Sequence, residues 1–180
     1  MEKKKCCVKH PAVLTVILLI LSALWIGYVR GDVGMSERAM REDHRDYVKD
    51  ECVVYEDIGD TMAVFLDYGA QGDVYDLDIY VKRKHSIGWF FRFGGSSGAL
   101  DYLIRMNCED NAEYVLTYLS AGSGGNTPEA ERIEVEKEDG TIMTIFPEAG
   151  TPFAYVMKHS WNVTVYGVDG SRLQPIERNM

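Results

Sequence analysis

Residues 12–29, AVLTVILLILSALWIGYV, form an eighteen-residue run with no charged side chain and eleven Val, Leu or Ile. As a helix rising ~1.5 Å per residue, a run of this length extends about 27 Å, close to the ~30 Å hydrocarbon thickness of a bilayer. Both ends are marked. Pro11 falls where a first helical turn tolerates it, and Trp25 and Tyr28 fall at the far end, where amphipathic rings favour the headgroup region. A cleaved signal peptide has a shorter apolar core, roughly 7 to 15 residues, and a small-x-small site. Here the cleavage positions near 22–24 and 27–29 lack the small residue before the cut. The run therefore predicts an uncleaved signal-anchor, a single transmembrane helix over 11–29.

Orientation follows the distribution of Lys and Arg. Lys3, Lys4, Lys5 and Lys9 precede the run with only Glu2 against them, whereas Arg30, Arg38, Arg41, Arg45 and Lys49 are interleaved with Asp32, Glu37, Glu42, Asp43 and Asp46. The expectation is a short basic cytoplasmic tail over 1–10 and a single-pass cell-membrane protein whose C-terminal domain is extracellular. A tail of ten residues is too short to fold into a signalling module. Cys6 and Cys7 beside the membrane are acylation candidates in a host with that chemistry.

The formal net charge is −9 although the first ten residues carry +3, so the remainder carries −12. Such a domain as a whole repels phosphate backbones and anionic lipid headgroups, which argues against a nucleic-acid partner. Residues 30–51 alternate charge and hold few large apolar groups, as expected of a polar stalk, helical from Ser36 as N-cap with Glu37 in the first turn.

After Cys52 the texture changes to short β-branched and aromatic runs separated by Gly, Asp, Asn and Ser. Strands are predicted at 53–56, 61–68, 74–82, 88–93, 113–119, 132–138, 141–146, 153–157, 162–166 and 172–176. The fold class is all-β over 52–180, an antiparallel β-sandwich, Ig-like or jelly-roll-like, with at most one short helix. That helix is assigned to 99–106, capped by Ser97, although Tyr102, Ile104 and Met106 also fit a strand. WFFRF, 89–93, is apolar on both faces and reads as a central strand. Asp139-Gly140 and Asp169-Gly170 read as two-residue type I′ hairpin turns. Those turns pair Ile133 with Phe146, Val135 with Thr144, Glu134 with Ile145, Tyr166 with Leu173 and Val163 with Ile176.

Few residues suggest chemistry. Cys52 and Cys108 are the cysteines outside the tail, and an oxidising compartment makes them a disulfide candidate across about 57 residues, a closure of roughly 4 kcal/mol on chain entropy. GGSSG, 94–98, resembles a phosphate-cradling loop but lacks the following Lys-Ser or Lys-Thr, and reads as a connecting turn. Asp73, Asp76 and Asp78 offer calcium oxygens, yet an extended strand spreads them apart, and a solvated acidic face is expected instead. His10, His44, His85 and His159 lack metal-site spacing, so no metal and no cofactor are expected. Only His85 and His159 are placed to reach a site in the domain. Ser86, Ser96, Ser97 and Ser160 lack a nucleophile elbow, so no catalytic residue is assigned. Trp89 and Trp161, with Phe91 and Tyr166, are the candidate ligand-facing aromatics. Asn162-Val163-Thr164 is a glycosylation sequon.

These readings point to a tethered binding or interaction module of the cell envelope, not an enzyme, with an envelope protein, peptide or carbohydrate as partner. One alternative is an accessory subunit of a membrane complex, acting through Ala12, Ser22, Ala23 and Gly27 on the helix. The other is an envelope hydrolase with an unrecognised site.

Overall fold

The computed structural model describes residues 11–46, 48, 52–69, 75–97, 102–119, 130–148 and 151–180. The tail 1–10 and Asp73 lie outside them. Helix α1 spans Pro11–Arg30, and its large apolar side chains from Val13 to Val29 are exposed along its length. It is the helix among the described residues long and apolar enough to cross a membrane. Gly31 ends it in a left-handed conformation (φ 74°) that glycine adopts without strain. Asp32 N–H donates to Gly27 O and Gly31 N–H to Tyr28 O, which satisfies the last carbonyls.

Helix α2, Glu37–Arg45, starts as predicted, with the Ser36 hydroxyl accepting from Ala39 N–H at 3.2 Å. It is not a free-standing stalk. Met40 and His44, one turn apart, are buried at 0% and 3% exposure, while Arg38–Glu42 and Arg41–Glu37 pair on the outward side. Arg41 also pairs with Glu56 of the first strand. Val33 and Met35 bridge to Ile87 and Trp89, so the segment after α1 is sewn onto the β-domain within a few residues of the helix end.

The rest is mostly β, in three four-stranded sheets. The first holds β1 (Cys52–Ile58), β2 (Met62–Gly69), β3 (Tyr75–Val81) and β4 (Phe90–Ser97) in that order. The second is built on β5 (Tyr102–Asn107), β6 (Glu113–Leu119), β9 (Phe153–Lys158) and β12 (Ile176–Asn179), ordered β12-β5-β6-β9, with β12 parallel to β5. The third holds β7 (Ala130–Glu136), β8 (Ile142–Ile145), β10 (Asn162–Gly167) and β11 (Arg172–Leu173), ordered β11-β10-β7-β8.

Strand alternation sorts the side chains into layers. Met62, Val64, Leu66, Leu77 and Ile79 of the first sheet meet Ile104, Met106, Val115 and Ala154 of the second. The opposite face of the second sheet, Leu103, Tyr114, Leu116 and Tyr118, meets Ile133, Val135 and Val165 of the third. The second sheet is thus covered on both faces. On the outer face of the first sheet, Ala63, Phe65, Tyr80 and Trp89 pack under Met40 of α2. Strand β2 is therefore buried on both faces, by a sheet on one side and a helix on the other.

Four expectations are corrected. Residues 102–107 are strand β5 rather than a helix, because side chains buried on both faces erase the period-two signal. WFFRF is not central: β4 pairs with β3 alone within its sheet, leaving Phe91 and Phe93 partly exposed. Each Asp-Gly hairpin contains one residue more than predicted, pairing Ile133 with Ile145, Val135 with Met143 and Val165 with Leu173. Only Gly140 and Gly170 take positive φ there; Asp139 and Asp169 instead accept from the N–H of Thr141 and Ser171, closing three-residue loops. Finally, Ile176 joins β12 beside Ile104 instead of pairing with Val163.

Candidate functional site

The outer face of the first sheet collects an unusual set of charges. Alternation puts Phe65 and Asp67 of β2 and Asp76, Asp78 and Tyr80 of β3 on that face. The register sets Asp67 directly opposite Asp76 and Phe65 opposite Asp78. Like charges facing each other across strands are destabilising. Helix α2 lies over this face and lowers His44 between two of the carboxylates: Nδ1 is 2.9 Å from Asp78 Oδ2, and Nε2 is 3.2 Å from Asp67 Oδ1 and 3.1 Å from Oδ2. Both ring nitrogens face acceptors, so the imidazolium, with an N–H on each, is the form that satisfies them. Burial alone would lower the His44 pKa; the hydrogen bonds to Asp67 and Asp78 outweigh it and push it up to about 9. The Phe65 ring stacks on the imidazole at 4.5 Å.

Beside His44 opens a pocket of about 480 Å³, walled by Asp43, Asp67, Asp76, Asp78, Tyr80 and Phe91. The volume falls within the ~300 to 1,000 Å³ of small-ligand sites. Tyr80 donates its hydroxyl to Asp43 Oδ2 at 2.9 Å and meets the Phe91 ring edge-on at 5.6 Å. Asp76 has no hydrogen-bond or ion-pair partner among the described residues. Gly94 and Gly95 of β4 complete the wall. A Cβ at Gly94 would stand 2.5 Å from Phe91 Cζ and 2.6 Å from Asp78 Oδ1, so the pocket exists because that position is glycine. No Lys or Arg among the described residues lines it. No group of three or more His, Cys, Asp or Glu among the described residues is arranged to hold a metal ion.

The residues singled out from the sequence are distributed differently. Trp89 is buried at 3% exposure, with Lys82 Nζ 4.4 Å from its ring centre. Trp161 is half-buried against the third sheet, with Lys137 and Lys158 Nζ at 5.5 and 6.0 Å. Tyr166 carries Arg132 over its ring and donates to Glu134. Phe91 alone of that group enters the pocket. Asp76 and Asp78 are not a solvated face but part of its wall, and the Gly94–Ser97 portion of GGSSG is strand, not turn. Neither His85 nor His159 has its imidazole hydrogen-bonded to a carboxylate among the described residues; His159 Nδ1 meets Arg105 Nη2 at 2.9 Å.

Cys52 and Cys108 are free thiols. Cys52 opens β1, whereas Cys108 O accepts from Asn111 N–H, and Asn111 Nδ2 in turn donates to Thr61 O, beyond the far end of β1. A seven-residue strand is about 20 Å long, and a bridge needs Cα atoms within ~7 Å. The candidate disulfide is not formed in this arrangement. The residues that sequence reasoning missed are Asp67 and Tyr80 on the sheet and, on α2, Asp43 and His44. The one signal of the α2 pair is that Met40 and His44 sit a single turn apart in an otherwise charged helix. Comparisons with family models, curated proteins and solved structures find no match.

Proposed function

We propose that this chain is a membrane-tethered binding module of the cell envelope that takes a cationic group, an amine, guanidinium or quaternary ammonium of an envelope peptide or small molecule, in the pocket beneath α2. In this reading α1 crosses the cell membrane with the N-terminus cytoplasmic, and the stacked sheets form an elaborated β-sandwich on the outer side. One observation carries the ligand class: four aspartates and two aromatic rings surround a cavity that no Lys or Arg among the described residues lines, and His44 beside it answers two of the four carboxylates. Carboxylates supply charge and hydrogen-bond acceptance to a cation, and aromatic faces attract it through their quadrupole. The Asp67–Asp76 juxtaposition costs stability in the empty protein. A bound cation would relieve it, and sites that break a local stability rule are where function is expected.

Calorimetry on the full chain in detergent tests this with butylammonium, butylguanidinium and tetraethylammonium against butanol. At least one cation binds and the alcohol does not. Asp76→Asn removes a charged acceptor that no partner among the described residues uses, and weakens binding by about tenfold, the ~1.5 kcal/mol of one charge-assisted contact. Gly94→Val fills the cavity and abolishes binding. Equal heats for butanol and the cations, or an unaltered affinity in both variants, would count decisively against the proposal.

A further inference from the structure

The turn between β3 and β4 is the cationic exception in an acidic domain. Between Asp78 and Asp101 the chain holds no acidic residue but carries Lys82, Arg83, Lys84 and Arg92. The turn is also attached to the end of the membrane helix. Asp32 donates its N–H to Gly27 O inside the last turn of α1, and its own carbonyl accepts the N–H of Ile87. Gly34 N–H then donates to Ile87 O at 2.7 Å. One residue therefore separates the helix terminus from the turn, and the two lie at the same level.

At that level, Arg30, Arg83, Lys84 and His85 are exposed, and Ile87 is 68% exposed. Arg83 packs its guanidinium 4.3 Å from the Phe90 ring centre, and His85 holds the turn in a left-handed conformation (φ 67°). Arg30, Arg83 and Lys84 have no ion pair among the described residues. Lys82 is engaged, donating to Asp60 O and covering Trp89. Asp32, which bonds to Ile87, is an acidic group beside them. Trp25 and Tyr28, near the same end of α1, are exposed rings of the kind that favours a headgroup interface.

We infer that the 83–87 turn is a membrane-surface contact: Arg83 and Lys84, with Arg30, engage the anionic phospholipid headgroups of the leaflet facing the domain, and Ile87 dips into the interface. The inference rests on α1 crossing the bilayer. Its effect is mechanical, since a domain held at both the helix end and this turn lies flush on the membrane and keeps one orientation. The occupant is lipid because the turn is hydrogen-bonded to Asp32 and Gly34, immediately beyond the end of α1, and because its charge is opposite to that of anionic headgroups and opposite to the rest of the domain.

The experiment uses the full chain in bilayers containing anionic phospholipid and a headgroup-photoactivatable lipid, with adducts mapped by peptide mass spectrometry. Adducts on α1 serve as the internal reference. The 83–87 peptide is labelled in anionic bilayers and much less in zwitterionic ones. Each charge removed lowers its yield about fivefold, the ~1 kcal/mol that one Lys or Arg gains at such a surface, so Arg83→Gln with Lys84→Gln lowers it about 25-fold. Salt at 1 M, which shortens the screening length to about 3 Å, produces a comparable loss in the unaltered protein and so needs no variant to fold. Labelled α1 with an unlabelled or charge-insensitive turn overturns this inference and leaves the membrane span standing. Unlabelled α1 overturns both.

Discussion

Glu113→Gln lowers the unfolding free energy by about 3 kcal/mol, and Glu113→Ala by about 5 kcal/mol. Glu113 opens β6 in the middle sheet, is 2% exposed, and reaches across the sheet interface to the 59–62 turn between β1 and β2. Its Oε2 accepts from Thr61 N–H at 2.7 Å, the Thr61 hydroxyl at 2.9 Å and Met62 N–H at 2.9 Å, and Oε1 accepts from Asp60 N–H at 3.0 Å. Every donor there points at an acceptor-only group. Glutamine must turn its NH₂ towards at least one N–H, which leaves two donors facing each other in a buried space; alanine leaves all four donors without a partner. Gly59 accommodates the carboxylate, because a Cβ there would lie 2.6 Å from Oε2. Urea unfolding of the full chain in detergent reads the loss as a lower midpoint at unchanged slope. Glu131→Gln, an exposed position on β7, stays within about 0.5 kcal/mol and serves as the control. A Glu113→Gln midpoint equal to that of the control contradicts the account of the turn.

The second large effect is a dependence of stability on pH in the alkaline range. His44 is held at about 9 in the folded protein, against ~6.5 in an unfolded chain. A raised pKa means the folded state binds the proton more tightly. The contribution is therefore complete below about pH 6.5, declines as pH rises, and is gone above about pH 9. Its size is on the order of 3 kcal/mol. His44→Phe keeps the ring stack on Phe65 but leaves Asp67 buried without its counter-ion. It costs about 3 to 5 kcal/mol at pH 6 and flattens the curve between pH 6.5 and 9. Adding Asp67→Asn to that variant recovers part of the loss, because the orphaned charge is removed. Unfolding curves of the original protein that superimpose at pH 6.5 and pH 9 would contradict the pairing.

The legible parts of this molecule were those with a local signal. The apolar run became α1, Ser36 capped α2, and ten predicted strands have counterparts. Strand β5 was hidden because Leu103 and Ile104 are buried on opposite faces, so hydrophobicity along it does not alternate. The hairpin registers slipped because Asp139 and Asp169 prefer to bond their own turn with the carboxylate than to adopt positive φ, a choice that an Asp-Gly pair leaves open. The pocket depends on tertiary relations alone. Asp67 meets Asp76 only through the β2–β3 register, and Asp43 and His44 reach them only because Met40 and His44 turn one side of a charged helix towards the sheet. Composition made that helix a spacer; two side chains one turn apart made it a lid over carboxylates.

The claim on which the rest turns is that this enclosure is built for positive charge. Amide and imidazole NMR of the isotope-labelled full chain, titrated with butylguanidinium and, separately, with the neutral near-isostere butylurea, addresses it at the site. Saturable shifts at the Gly94 and Gly95 amides and the His44 ring with the cation, and none with the urea, are predicted. Matching shifts for both compounds, or shifts confined to residues away from α2, β3 and β4, would contradict it.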